Sequence, residues 1–143
     1  MANDRFLVDS SVWIFALRKD PIPPIRDRVA ALLRDDAVVT TGVIKLEILT
    51  GAKTEREYTR LKSRLDALES LQTDERVWQM ACRHGFTLRR QGMTIPTTDL
   101  LIATCALQAG VVVVHADAHF DLMSGPLGLR TESHVRLLKK ALS

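Results

Sequence analysis

Four carboxylates stand in apolar surroundings along this chain: Asp9, Glu47, Asp99 and Asp117. Asp9 is the only charged residue between Arg5 and Arg18, and it follows the apolar run Phe6-Leu7-Val8. Asp99 is the only charged side chain between Arg90 and Asp117, setting His115 aside, and it opens the most hydrophobic helical stretch. Glu47 shares a helix face with Val43 and Ile44, and Asp117 comes just after the run Val111 to His115. Each has a simple structural explanation. Asp9 could cap a helix, Asp99 could complement a helix dipole, Asp117 could start a turn, and Glu47 could reach solvent. Together they point further. Like charges brought close and partly buried either take up protons or bind a cation. An all-oxygen donor set suits Mg²⁺ or Mn²⁺ rather than zinc. The chemistry such an ion favours is metal-assisted phosphodiester hydrolysis.

The charge balance fits an anionic substrate. The chain carries 20 basic and 17 acidic side chains, a net +3. Setting the four carboxylates aside leaves 13 acids against 20 bases, a surplus of seven on the rest of the protein. A basic body around an acidic pocket suits a polyanion whose phosphate meets the ion. Arg18, Lys19 and Lys53 close the segments that carry Asp9 and Glu47 and are candidate phosphate contacts, although solvated surface is the simpler reading of each. His84, His115, His119 and His134 share no motif, so no His–His acid/base pair is indicated. His119 is expected to be structural or to touch substrate.

Short apolar runs alternate with helical patterns, which predicts an α/β fold with a mostly parallel sheet. Strands are expected at residues 5–9, 37–40, 71–73 and 111–115, with another near residues 129–131. The three prolines in residues 21–24 form a loop, and Pro24 starts a helix. Thr41 or Gly42 opens a helix that Gly51 ends. Thr54 and Glu57 form a capping box. Residues 74–91 form a long helix. In the tail, residues 120–123 precede a turn at Gly125-Pro126, and a basic helix starts near Ser133. In parallel sheets ligands bind beyond the carboxyl ends of the strands, and Asp9 and Asp117 fall there.

The 143 residues read as one domain over residues 1–143, long enough to bury a core. No apolar run approaches a membrane span. The first residues show no secretion signal, so a cytoplasmic protein is expected. Cys82 and Cys105 have no zinc-ligand spacing and read as buried thiols.

Four segments carry a resemblance: LVDSSVWI (residues 7–14), KLEILTG (45–51), IPTTDLLIATCAL (95–107) and VVVHADAHFD (112–121). In this order and spacing the chain resembles a PIN domain, and specifically the ribonuclease toxins of VapBC toxin–antitoxin modules, over about residues 5–131. The resemblance implies a five-stranded parallel sheet flanked by helices. It implies an acidic cluster of Asp9, Glu47, Asp99 and Asp117 holding Mg²⁺ or Mn²⁺ at the sheet's carboxyl edge. Ser10 and Thr98 match the supporting polar positions. The family's final motif often reads Asp-x-Asp-Phe. Here it reads Asp117-Ala118-His119-Phe120, so His119 replaces the second acid and Asp121 is a possible substitute. The resemblance further implies an RNA substrate, a homodimer, and a cognate antitoxin in a hetero-oligomer. The apolar face of Tyr58, Leu61, Leu65 and Leu68 is a candidate antitoxin groove, or plain core.

Other classes fit less well. A non-catalytic RNA- or peptide-binding module of the same fold has no need to keep four like charges together. A receiver-type phosphoacceptor domain needs a lysine after a late strand, where this chain has His115-Ala116-Asp117. An Asp-x-Asp-x-Thr phosphatase is disfavoured because Asp9 is followed by Ser10-Ser11-Val12.

Overall fold

The computed structural model describes residues 3–142. Five strands form one sheet: β1 (Phe6–Val8), β2 (Val38–Thr41), β3 (Glu69–Leu71), β4 (Val112–His115) and β5 (Thr131–Ser133). Their order is β3-β2-β1-β4-β5, and every pairing is parallel. The helices are α1 (Ser10–Leu17), α2 (Pro23–Arg34), α3 (Gly42–Thr50), α4 (Glu55–Asp66), α5 (Glu75–Arg90), α6 (Thr97–Ala109), α7 (Ala118–Leu127) and α8 (Val135–Leu142). The sheet interior is almost continuously apolar: Leu7, Val8, Val39, Val113 and Val114 are buried to within 1%. Strands covered on both faces read as runs rather than alternations.

The strand order creates a switch point. From β1 the chain builds outward to β2 and β3, and later returns to the other side of β1 for β4 and β5. A crevice opens beyond the carboxyl ends of β1 and β4, where the direction of winding reverses. Helices α1, α3 and α7 each start within three residues of the end of a strand, so their N-termini share that edge.

Local chemistry fixes these starts. Asp9 caps α1, Thr41 caps α3 through the Ile44 amide, and Asp117 caps α7. Thr54 caps α4 by accepting the Glu57 amide. The Glu57 side chain accepts instead from the Lys53 amide, one residue before the position a full capping box uses.

The structure corrects four expectations. The third strand lies at Glu69–Leu71 rather than residues 71–73, because β2 ends at Thr41 opposite Leu71 and offers no ladder beyond it. The fifth strand lies at Thr131–Ser133, in register with Val113 to His115 of β4. Gly125-Pro126 is not a turn: α7 runs through it. A proline this close to the helix end forfeits little of the ladder, and the stop comes from Gly128 at φ +65°. Cys82 is exposed, since α5 turns its neighbour Ala81 inward instead, whereas Cys105 is buried.

Thr41 links fold to site. It is fully buried, and its hydroxyl accepts the Ile44 amide at 3.2 Å where β2 becomes the helix that carries Glu47. Thr41→Val keeps the shape and removes the cap. We expect urea unfolding to show a loss of about 1–2 kcal/mol, with the fold retained by circular dichroism.

Candidate active site

Asp9 leaves β1 directly and lies 2% exposed. Its Oδ2 accepts the Ser11 amide at 3.1 Å and the Ser11 hydroxyl at 2.6 Å. The Ser11 oxygen in turn accepts the Ala116 amide at 3.0 Å. One serine thus ties the end of β1 to the chain leaving β4. Asp9 Oδ1 has no hydrogen-bond partner among the described residues. Burial pushes the Asp9 carboxyl above its usual value, the Ser11 bonds pull it back, and the Asp117 charge raises it further.

Asp117 accepts the His119 amide on Oδ1 at 2.9 Å. Its own amide donates to His115 Nδ1 at 3.2 Å. The His119 ring folds back over the same acid. Its Nδ1 lies 2.9 Å from Asp117 Oδ1 and 3.3 Å from Asp99 Oδ2. Asp99, Asp117 and His119 therefore offer three donor atoms that all lie within 4.8 Å of one another. Asp99 sits in the first turn of α6 and is 7% exposed. Its pKa is raised to about 7, chiefly by burial, then by the charges of Asp117 and Asp9; His119 opposes the shift.

Glu47 stands on α3 with Oε1 accepting the Ser10 hydroxyl at 3.2 Å. Burial raises its pKa first and the Asp9 charge second. All four carboxylates thus share one field, with Asp99, Asp117 and His119 packed most tightly. Ser10 touches the cluster through Glu47. Thr98 is exposed and makes no hydrogen bond to the acids among the described residues. Asp121 is engaged elsewhere: its Oδ2 accepts the Ser133 hydroxyl at 3.2 Å and its Oδ1 lies 3.4 Å from His115 Nε2.

Two residues were given no place in the cluster from the sequence alone. Ser11 sits two residues after a capping Asp, which is the spacing that lets a hydroxyl reach the cap. His119 occupies the motif position where an acid was expected, and that departure was its signal. Arg18, Lys19 and Lys53 line a cleft of about 640 Å³ together with Glu47 and a further cation, Arg60. The cleft therefore runs from basic residues up to one of the acids.

The donor set fits a divalent cation. A buried carboxylate oxygen with no partner, in the field of an acid whose proton is held to about pH 7 chiefly by burial and then by its neighbours' charges, is the state that a cation relieves.

Known proteins resemble this chain in sequence and in fold. The PIN domain family model matches residues 6–126. Ribonuclease VapC51 of Mycobacterium tuberculosis is 33% identical over 127 residues, covering 87% of this chain and 88% of that protein. Ribonuclease VapC18 of the same organism is 30% identical over 133 residues, covering 89% and 93%. Among solved structures, DNA-bound VapBC from Salmonella typhimurium superposes with a TM-score of 0.75 at 25% identity, covering 91% of this chain and 98% of that one. The single parallel sheet flanked by helices is the fold that this chain shares with that structure. The chain belongs to the PIN domain family, and its relatives within it are VapC ribonucleases.

The raised pKa of Asp99 has a consequence for stability. The folded protein holds a proton that the unfolded chain releases near pH 4. Stability from this residue is therefore full below about pH 4 and is lost as the pH rises toward 7. In chelator at pH 8, Asp99→Asn is expected to be more stable than the parent by roughly 1–3 kcal/mol. The difference should disappear near pH 4. Thermal unfolding across that range checks it.

Proposed function

We propose that this chain is a Mg²⁺- or Mn²⁺-dependent endoribonuclease and the toxin of a toxin–antitoxin module. The observation that carries this reading is the acidic cluster at the switch point, in which Asp9 and Asp99 are buried, Asp117 is half-buried, and Asp9 Oδ1 has no partner among the described residues. The ribonuclease names of the VapC relatives support the substrate class.

Asp9, Glu47, Asp99 and Asp117 would hold the ion. When bound, a divalent ion acidifies water and offsets the charge that gathers on the phosphate. Asp99 would have to give up its proton to take part, so ion affinity would rise through neutral pH. Asp117, more exposed than Asp99, would complete a second, weaker position or orient the attacking water. Hydrolysis by water leaves a 5′-phosphate and a 3′-hydroxyl. Arg18, Lys19, Lys53 and Arg60 hold the RNA backbone in the cleft that leads to Glu47.

A second groove, of about 480 Å³, is lined by Trp13, Leu17, Leu33, Leu61, Leu65 and Leu68. Leu61 and Leu65 are core, whereas Tyr58 is 40% exposed. The groove shares Trp13, Leu17 and Leu61 with the basic cleft, so an apolar segment seated in it lies against the RNA path. This is the place for an antitoxin segment, in keeping with the VapBC complex among the solved structures. The active form is a cytoplasmic homodimer. No helix among the described residues is long and apolar enough to cross a membrane.

Purified protein incubated with a mixed RNA pool and Mg²⁺ or Mn²⁺ is expected to release fragments with 5′-phosphate ends. Chelator stops the reaction. Because even residues that merely support a metal ligand cost 10–100-fold, Asp99→Asn is expected to lose about 100-fold or more. Cutting that survives both treatments would sink the reading. An intact protein that binds RNA under every condition and never cuts would make it a binding module.

The basic cleft is tested in the Asp99→Asn background. Lys53→Ala and Arg60→Ala should each weaken RNA binding regardless of sequence, and each should lower the salt slope of binding by about one. Titrations at several salt concentrations measure this.

A further inference from the structure

We propose that His119 is itself a metal ligand, so that this chain holds its ion through an imidazole nitrogen as well as carboxylates and prefers Mn²⁺ to Mg²⁺ more strongly than an all-acid cluster does. This rests on the reading that the acids hold a divalent ion, and it names the ion that the site selects.

Three observations carry it. The first is spacing. Ligands at right angles on one ion, with bonds of about 2.1 Å, lie about 3 Å apart. His119 Nδ1 lies 2.9 Å from Asp117 Oδ1 and 3.3 Å from Asp99 Oδ2. The second is satisfaction. Nδ1 is enclosed yet makes no aligned hydrogen bond among the described residues, despite its nearness to both acids. Asp9 Oδ1 is likewise enclosed and unpartnered, on a residue 98% buried. Asp9 shares the field of Asp99 and Asp117, so a cation held by Asp99, Asp117 and His119 is also the counter-charge that the unpartnered Asp9 oxygen lacks. The third is anchoring. The His119 amide is held on Asp117 Oδ1 in the first turn of α7, so the ring is placed by the same acid it accompanies.

The selectivity follows from ligand chemistry. Both ions take oxygen, but Mg²⁺ holds to oxygen and its own waters, whereas Mn²⁺, a first-row transition ion, also accepts a nitrogen donor. Replacing the second acid of the Asp-x-Asp-Phe pattern by His119 removes one negative charge and adds a nitrogen. The lost charge weakens both ions, and the nitrogen is what favours Mn²⁺.

The test uses the full chain loaded with Mn²⁺ and read by pulsed electron paramagnetic resonance, with calorimetry for Mn²⁺ and Mg²⁺. The parent is expected to show nitrogen coupling to Mn²⁺, and His119→Ala to lose it. His119→Asp, which restores the acid, is expected to lower the ratio of Mn²⁺ to Mg²⁺ affinity by about 10-fold. Thermal unfolding of the metal-free variants verifies that both fold. Mn²⁺ binding with no nitrogen coupling and an unchanged affinity ratio would overturn the role of His119 and leave the acidic site standing. Absence of Mn²⁺ binding to the parent, or binding indifferent to Asp99→Asn, would overturn both this inference and the reading beneath it.

Discussion

Four carboxylates crowded beyond the ends of two central strands repel one another, and the fold is arranged around that repulsion. Burial makes it worse, since the charged form loses its water. Asp99 bears most of the strain, with its proton retained to about pH 7. The protein keeps the arrangement by surrounding it with partial positive charge. The N-termini of α1, α3 and α7 converge on the same edge, and each places unpaired amides and the positive end of a helix dipole near the acids. Asp9 and Asp117 use this directly, as caps of the helices they begin. A parallel sheet with short strand–helix connections brings helix starts to its carboxyl edge, which is why acids can collect there.

Two small features turn this edge into a defined site. Ser11 bonds to Asp9 and accepts from Ala116, so the two strands of the switch point are joined by one hydroxyl. The strand-to-helix turn at Asp117 is fixed on one side by the His115 ring and on the other by the His119 amide. His115 is itself fully buried, against the Phe120 ring at 5.1 Å between centroids. Burial pushes its pKa down, so it stays a neutral acceptor for the Asp117 amide. The acids are therefore held by groups that are themselves locked by packing, which is what a site of preset geometry requires. Such a site carries a stability cost in the absence of its ligand, and function sets that cost.

Much of the fold was legible in the chain. Runs such as Val111 to Val114 read as buried parallel strands because both faces of the sheet are covered, and the capping residues Asp9, Thr41 and Thr54 mark helix starts by their hydroxyls or carboxylates. The short outer strands were misplaced by two residues, because their limits are set by the partner strand and not by their own side chains. Gly125-Pro126 reads as a turn in isolation, yet the packing of Phe120 and Met123, both fully buried, carries α7 through it. Cys82 shows the same limit on a helix: one step of 100° separates an inward Ala81 from an outward thiol.

The sequence by itself determined the α/β class, the four isolated acids and the family, since each rests on residue type and spacing along the chain. It also marked the basic residues near Asp9 and Glu47. Only the tertiary structure decided which atoms meet. It placed His119 against Asp99 and Asp117, turned Asp121 away to Ser133 and His115, left Thr98 in solvent, and recruited Ser11 and Arg60. The reason is physical. A motif fixes where the backbone carries a side chain, whereas contact within about 3 Å depends on rotamers and on segments more than a hundred residues away, which local pattern does not encode.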